Sequence, residues 1–429
     1  MTSTAKADHP RVAWAASLGA APVLRHLAED ERLRLIEDGT LEDYRDGAEL
    51  IRADERSSAV FLLVDGACDV LRTDQTVRLS APALVGEIAA LTGTPRTATV
   101  RAAGAARAVV ITRDRFLDAI RTSAAAGQAL TELVADRICA PDSIRQVGRF
   151  AIDGIVGSGG SGRVLRARHP LLEIPVALKM LSHALALMPD GPRAFVREAS
   201  LLARLDHPGI VRVLDAFEAH GTFFIVMPWL DGATLRELID RRTVFTATEI
   251  RRIAAEALDA LAALHAAGLV HRDVKPSNIF VTANGRVVLI DFGIACAAAE
   301  GLGARGSGLG ASSRALIGTP AYSSPEQILG RPIDGRSDVY SLACTLYELI
   351  FGRAPFGADV EPAIDGHLHG TPALDLTPLV AIDDALLSWL RKCLSRTRRS
   401  RPQASSPAPH APSPEPEPPR RAPSAARAQ

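Results

Sequence analysis

The spacing of apolar residues changes several times along the chain, and each change marks a predicted element. Leu24, Leu27, Leu33 and Ile36 recur at helical spacing within residues 23–37. From about residue 41 to 114 the pattern becomes short β-type runs broken by Gly, Asp and Pro. Examples are Ala59-Val60-Phe61-Leu62-Leu63-Val64, Cys68-Asp69-Val70-Leu71 and Ala108-Val109-Val110-Ile111-Thr112. Short strands at regular spacing predict a barrel or jelly roll. Residues 115–138 return to helical spacing, with Phe116, Ile120, Leu130, Leu133 and Val134 on one side. Residues 139–149 are polar and read as a hinge linker. Residues 150–230 mix strands with one helix near 193–205, and residues 231–400 are mainly helical. Ile279-Phe280-Val281 and Val287-Val288-Leu289-Ile290 predict a hairpin turning at Asn284-Gly285. Residues 1–20 read as loosely ordered. Residues 405–429, rich in Pro, Ala, Ser, Arg and Glu, keep no period and read as a disordered tail. The whole is an α+β chain with more than one domain.

Composition narrows this picture without changing it. Apolar residues make up 47% of the 429, enough for real cores, but aromatics are only 4%, so Leu, Val and Ala must fill them. Acidic and basic residues balance at 49 each, which gives no electrostatic case for nucleic acid or an anionic membrane. The five cysteines are scattered without a CxxC pair, as expected for reduced thiols in a cytoplasmic protein. No apolar run approaches a membrane span, and residues 1–10 lack the apolar core of a signal peptide.

The chemistry concentrates in His271-Arg272-Asp273-Val274-Lys275-Pro276-Ser277-Asn278, followed by Asp291-Phe292-Gly293. Two carboxylates, an amide and a lysine fall within a short span. Phosphoryl transfer uses that set: a carboxylate to accept a hydroxyl proton, hard oxygens for Mg²⁺ and a cation for phosphate charge. These residues resemble the catalytic and magnesium-binding loops of protein kinases. The resemblance implies Asp273 as base, Asn278 and Asp291 as Mg²⁺ ligands, and Lys275 at the γ-phosphate, as in the serine/threonine class. It makes His271 structural.

Further motifs extend the likeness over residues 150–404. Gly157, Gly159, Gly162 and Val164 fit a glycine-rich loop, whose missing side chains let backbone amides approach ATP phosphates. Val176-Ala177-Leu178-Lys179 follows at the right distance. The resemblance implies Lys179 on the α- and β-phosphates, Glu198 orienting it, and adenine at the strand carrying Met227 and Leu230. Pro228 departs from the acidic residue common there but keeps its carbonyl. Glu326 is expected to pair with Arg401, and Asp338 to brace the catalytic loop. Ser307, Ser312 and Ser313 are candidate phosphate acceptors, with Arg272 as the receiving cation. The implied architecture is a bilobal kinase fold, β-rich first and helical second.

Residues 21–138 carry a second signature. Gly86-Glu87-Ile88-Ala89 followed by Pro95-Arg96-Thr97-Ala98 resembles the phosphate cassette of cyclic nucleotide-binding domains. The likeness implies a jelly roll with flanking helices. Gly86, Ala98 and a helix start would receive the cyclic phosphate, Arg96 would pair with it, and Glu87 would accept from the ribose hydroxyl. Thr97 is compatible with cAMP or cGMP, and we lean to cAMP. Val85 stands where the family has Phe.

The expected function is a Ser/Thr protein kinase using ATP and Mg²⁺ on protein substrates, regulated by cyclic nucleotide and by activation-loop phosphorylation. A nucleotide-sensing pseudokinase scaffold is the alternative, and Lys179, Glu198, Asp273, Asn278 and Asp291 all argue against it. A transcription regulator sharing the sensor would need a helix-turn-helix after residue 140, where the glycine loop stands instead. No partnership with nucleic acid or membrane is expected.

Overall fold

The computed structural model describes residues 10–71, 76–93, 95–140, 145–159, 162–188, 190–292 and 319–406. The chain divides into two compact units. The first holds the described residues up to 206 together with 212–230; the second holds 207–211, 231–292 and 319–406.

The first unit opens with helices α1 (Pro10–Ser17) and α2 (Glu29–Asp38). The strands β1 (Thr40–Tyr44), β2 (Glu49–Ile51), β3 (Val60–Asp65), β4 (Ala67–Leu71), β5 (Thr76–Ser80) and β6 (Ala83–Val85) follow, then helix α3 (Glu87–Thr92), β7 (Thr99–Ala102) and β8 (Ala106–Ile111). They form two antiparallel four-stranded sheets, ordered β1-β8-β3-β6 and β2-β7-β4-β5. The expected jelly roll is present. Strand β3 shows why its sequence runs apolar without alternation. Phe61 and Leu63 pack in the core that includes Val70 and Val100, while Val60, Leu62 and Val64 pack in the core of the helices. A strand covered on both faces loses the period-two pattern.

After β8 come α4 (Arg113–Arg121) and α5 (Ala124–Cys139), the helices expected after the barrel. Ser123 separates them and caps α5, its side chain accepting from the Ala126 amide. The chain then enters a six-stranded antiparallel sheet. Its strands are β9 (Gln146–Val147), β10 (Phe150–Gly159), β11 (Gly162–Arg168), β12 (Pro175–Leu181), β13 (Asp215–Ala219) and β14 (Thr222–Pro228). Their order is β13-β14-β12-β11-β10-β9, and helices α6 (His183–Ala186) and α7 (Gly191–Leu202) lie between β12 and β13 in sequence.

The stretch 139–149 is not a plain hinge in its described part. Gln146 and Val147 pair with β10, and Val147 is fully buried. It belongs to one continuous core that runs from Leu24, Phe116, Leu130 and Val134 of the helices to Phe150, Leu178 and Phe224 of the sheet. Polar composition concealed this, because one buried valine in a short run leaves no period to read.

The second unit contains β15 (Gly232–Thr234), α8 (Leu235–Asp240), α9 (Ala247–Ala266), β16 (Ile279–Thr282) and β17 (Val287–Leu289). Helices Pro325–Ile328, Gly335–Phe351, Val360–His369 and Asp384–Cys393 complete it. Thr234 and Thr246 each start a helix with a reciprocal capping box, through Glu237 and Glu249. The expected hairpin is there, with Ile279 opposite Leu289 and Gly285 in the left-handed region its turn requires. Helix Gly335–Phe351 is buried from Ser337 to its end, so it is apolar on nearly every side and its few polar groups must find partners inside. Among the described residues no helix is long and apolar enough to cross a membrane. Cys68, Cys139, Cys344 and Cys393 are free thiols.

Candidate active site

The catalytic loop is held from below by one carboxylate. Asp338 Oδ2 accepts from the His271 amide and Oδ1 from the Arg272 amide, both at 2.8 Å. The Arg272 carbonyl accepts from Gln327 Nε2 at 2.7 Å. Clamping that residue on both sides explains how Arg272 can hold a left-handed φ of 68° without being glycine. Asp291, after β17, is the other such residue here, at φ 57°. His271 is fully buried, its ring 4.9 Å from that of Phe292. Loss of hydration pushes its pKa down, so it is a neutral packing group, as the resemblance implies.

The loop presents Asp273. Lys275 Nζ lies 2.9 Å from its carboxylate and also donates to Thr319 Oγ1 at 3.2 Å. Asn278 Nδ2 donates to Asp273 Oδ2 at 2.9 Å and to the Asp273 carbonyl at 2.8 Å. Burial raises the Asp273 pKa, Lys275 opposes that, and Asp291 adds to it. Because the amide nitrogen of Asn278 serves Asp273, its Oδ1 is turned to act as an acceptor. Among the described residues no three His, Cys, Asp or Glu side chains cluster as a metal cage. An oxygen set of Asn278 and Asp291 nevertheless fits Mg²⁺, which commonly takes one or two protein oxygens and completes its shell with water and phosphate.

Further down, Arg401 donates to both oxygens of Glu326, at 2.6 and 3.0 Å, as expected for this pair. Burial alone would raise the Glu326 pKa, but Arg401 and Ser337 outweigh it and hold the pKa below the usual range. Arg236, Tyr322 and Glu348 form a second, partly buried network, with Arg236 Nη2 at 2.7 Å from the Tyr322 hydroxyl and 2.8 Å from Glu348. Sequence reading did not find it, since its members lie far apart along the chain.

The residues expected at the nucleotide are in the first unit. Gly157 pairs with Val164, and Val164 pairs with Lys179 on the next strand. Lys179 in turn faces Ile225 of β14, two residues before Met227. The sheet thus sets the glycine strand, the lysine and the strand of Met227 side by side. Lys179 is 5% exposed. Glu198 is 7% exposed and shares the buried face of α7 with Phe195, Ala199 and Leu202, so it is not a solvated surface charge. Leu230 ends the segment after β14. Ser307, Ser312 and Ser313 lie outside the described residues, as do Gly293 and most of the tail.

The sensor cassette is folded as expected, but its charges are turned onto the protein. Gly86 has φ 85°, and a Cβ there would stand 2.5 Å from Arg96 Nη1. That room lets Arg96, 3% exposed, donate to the carbonyls of Gly86 (2.8 Å) and Ala59 (2.6 Å). Burial lowers its pKa. Glu87 is completely buried, and Arg137 of α5 stands 2.9 Å from its Oε1. That contact is a charge pair without hydrogen-bond alignment, so both Glu87 oxygens keep unused acceptor capacity. Thr97 is exposed and Ala98 half-buried beside them. Arg137 escaped sequence reading because nothing local marks one arginine near a helix end as a partner.

Comparison with known proteins gives the families to which the two regions are similar. Residues 150–411 match the protein kinase domain family, and residues 41–123 match the cyclic nucleotide-binding domain. The chain is 40% identical over 246 residues to a probable serine/threonine-protein kinase PknB of Corynebacterium glutamicum, covering 55% of this chain and 37% of that one. It is 41% identical over 215 residues to the serine/threonine-protein kinase PknB of Mycobacterium leprae, covering 49% and 34%. A solved kinase domain, PknI of Mycobacterium tuberculosis, is 29% identical, with 60% of this chain and 93% of that one covered at a TM-score of 0.46. The chain therefore spans only about a third of the length of these curated relatives. With a match that covers more than half of its residues, the chain belongs to the protein kinase domain family and carries a cyclic nucleotide-binding domain ahead of it.

Proposed function

We propose that this protein transfers the γ-phosphate of ATP to serine or threonine hydroxyls of protein substrates, under the control of a cyclic nucleotide. The observation that carries the reading is the braced loop: Asp273 flanked by Lys275 and Asn278, on backbone that Asp338 holds by two amides. Asp273 accepts the proton of the substrate hydroxyl and aligns its oxygen. Lys275 offsets charge at the γ-phosphate. Asn278 and Asp291 would hold Mg²⁺, which supplies charge neutralisation on the phosphates. Gly157, Gly159, Gly162 and Val164 cover the phosphates, Lys179 oriented by Glu198 binds them, and Met227 and Leu230 meet adenine.

The sensor, residues 21–138, takes cAMP or cGMP, and we favour cAMP. Its support is the buried Glu87, which has acceptor capacity to spare for a ribose hydroxyl. Gly86, Arg96, Thr97 and Ala98 form the phosphate side, where Arg96 exchanges backbone carbonyls for the ligand. The catalytic domain covers 150–404. Phosphate on Ser307, Ser312 or Ser313 would add a second input through Arg272. The free thiols fit a reducing cytoplasm.

The test is transfer of labelled γ-phosphate to a generic basic protein, with and without cAMP or cGMP. Transfer that depends on Asp273 and responds to one nucleotide is expected. No Asp273-dependent transfer under any condition would sink the enzyme reading. An absent nucleotide response together with no nucleotide-induced thermal shift would sink the sensor reading.

A further inference from the structure

Helix α5 takes no part in the chemistry above, yet its side chains lead from the cassette to the sheet that holds ATP. Near its end Arg137 stands against Glu87 at 2.9 Å. Five residues earlier Glu132 meets Arg163 at 3.3 Å. Arg163 directly follows Gly162, the last glycine of the phosphate loop. Next to Glu132, Thr131 Oγ1 accepts from the His183 amide at 2.8 Å and lies 3.0 Å from His183 Nδ1. The far nitrogen of that ring is 2.9 Å from the His220 carbonyl. At Gly127 the helix comes so near α6 that a Cβ would sit 2.6 Å from the Ala184 backbone.

These contacts reach the ATP-holding strands at two points. Arg163 is on β11, where alternate residues face opposite sides, and its neighbour Val164 pairs with Lys179. His183 follows Lys179 by four residues. The helix that bears Glu87 touches the same sheet on its own account. A Cβ on Gly221, in the turn between β13 and β14, would stand 2.8 Å from the Leu91 carbonyl. Both partners of the Glu87–Arg137 pair are therefore carried by helices that pack on the six-stranded sheet with α6 and α7, the small lobe of the kinase fold, over a shared apolar core. Packed interiors do not deform smoothly, so a shift of α5 is passed on to β11 rather than absorbed.

We propose that α5 is a working part of the kinase small lobe: Glu132, through Arg163, positions the glycine-rich strand for ATP, and Arg137 makes that position depend on what occupies Glu87. The second half rests on the reading of the cassette as a cyclic nucleotide site. A ribose hydroxyl that donates to Glu87 fills acceptor capacity that Arg137 leaves unused, and so weakens the pull that holds Arg137 against this carboxylate. Arg137 is about one-third exposed and can turn to water when displaced. The effector then acts on ATP affinity, and proton transfer at Asp273 is left as it was. Glu132 and Arg163 are positioning residues; neither touches the reacting atoms.

The experiment uses the full chain and measures KM for ATP and kcat, with and without cAMP and cGMP, beside nucleotide-induced thermal shifts. The variants are Glu132→Arg, Arg163→Glu, the two together, and Arg137→Ala. Each single reversal is expected to raise KM for ATP by about three- to tenfold, the scale of losing one partly exposed pair and gaining a repulsion, with kcat within about twofold. The double reversal is expected to restore KM. Arg137→Ala is expected to move KM of the nucleotide-free protein in the direction that nucleotide moves the wild type, and to remove any further response. A general loss of folding would lower kcat and thermal stability together and show no rescue. Unchanged KM in both single reversals, or no rescue in the double, overturns the positioning role. A wild-type nucleotide response in Arg137→Ala overturns the coupling. Rescue of KM in a protein that shows no thermal shift with either nucleotide overturns the sensor reading alone, and leaves the role of Glu132 standing.

Discussion

The catalytic loop and the sensor cassette both set a carboxylate near a cation in a tight backbone frame, and they meet burial in opposite ways. Around Asp273 the backbone does the holding. Asp338 and Gln327 take up the peptide groups of the loop, and among the described residues the carboxylate's side-chain partners are Lys275 and Asn278. Around Glu87 the side chains do the holding. Arg96 spends its donors on carbonyls, and Glu87 leans on an arginine from another helix. The difference fits two tasks. A reacting group must be ready before its substrate arrives, because reorganising charge during the reaction raises the barrier. A sensing group must exchange partners when its ligand arrives, because a ligand shifts an equilibrium only by what it does differently to the two states.

The largest effect should fall on the catalytic side. Asp273→Asn is expected to lower transfer by about 10²- to 10⁴-fold, the usual weight of a positioned base. It should keep the thermal shift produced by cyclic nucleotide. Loss of both would mean that the two constellations are not separable. Next comes the buried pair in the second unit. Arg401→Ala leaves the buried Glu326 charge without its cation, with Ser337 still donating to it, and should cost about 3–5 kcal/mol in denaturant unfolding. The Glu326 pKa is held below 4.5, so the stability from this pair is complete above about pH 4.5 and is lost as pH falls through the lowered value.

Helix α6, against which α5 packs, offers a titration of opposite chemistry. His183 is almost wholly buried against Thr131 and the His220 carbonyl, and burial pushes its pKa from 6.5 down to about 4. The unfolded chain takes up that proton first. Stability should therefore be full above pH 6.5 and fall by on the order of 3 kcal/mol as pH drops to about 4. Unfolding midpoints of the wild type and His183→Gln across that window check it, since the variant should lose this share of the slope while buried His220, His271 and His367 keep theirs. Arg96→Ala strips partners from two carbonyls and should cost about 1–3 kcal/mol, together with the nucleotide-induced shift. Retention of that shift would break the comparison at its weaker end. The smallest effect is Gly221→Ala. A φ of 68° and a Cβ 2.8 Å from the Leu91 carbonyl should cost about 1–2 kcal/mol, read as a lower melting temperature.

Much of the catalytic side was legible because its chemistry is local. Asp273, Lys275 and Asn278 lie within six residues, and the chain has only to turn once to bring them together. The Asn284-Gly285 hairpin was legible for the same reason, since the turn type is decided by residues that can take its dihedral angles. Glu326 and Arg401 are 75 residues apart, and only the resemblance to a family joined them. The cassette was legible as a motif, yet the motif did not say where its charges would point. The reading of 139–149 as a hinge failed on Val147. Whether a lone valine in a polar run is covered depends on Phe150, Phe116 and their neighbours arriving over it.

The sequence by itself determined the inventory of this protein: a loop like the catalytic loop of kinases, a glycine strand with its lysine, a cassette like that of cyclic nucleotide-binding domains and the strands and helices that carry them. Those features are written in adjacent residues and short periods, and backbone sterics turn them into structure wherever they occur. Only the tertiary structure decided that Arg96 is tied to carbonyls, that Glu87 faces Arg137, and that α5 shares a core with the small lobe. Each of these is a meeting of side chains brought close by packing, and packing is settled by the volume and burial of the whole core rather than by any one stretch.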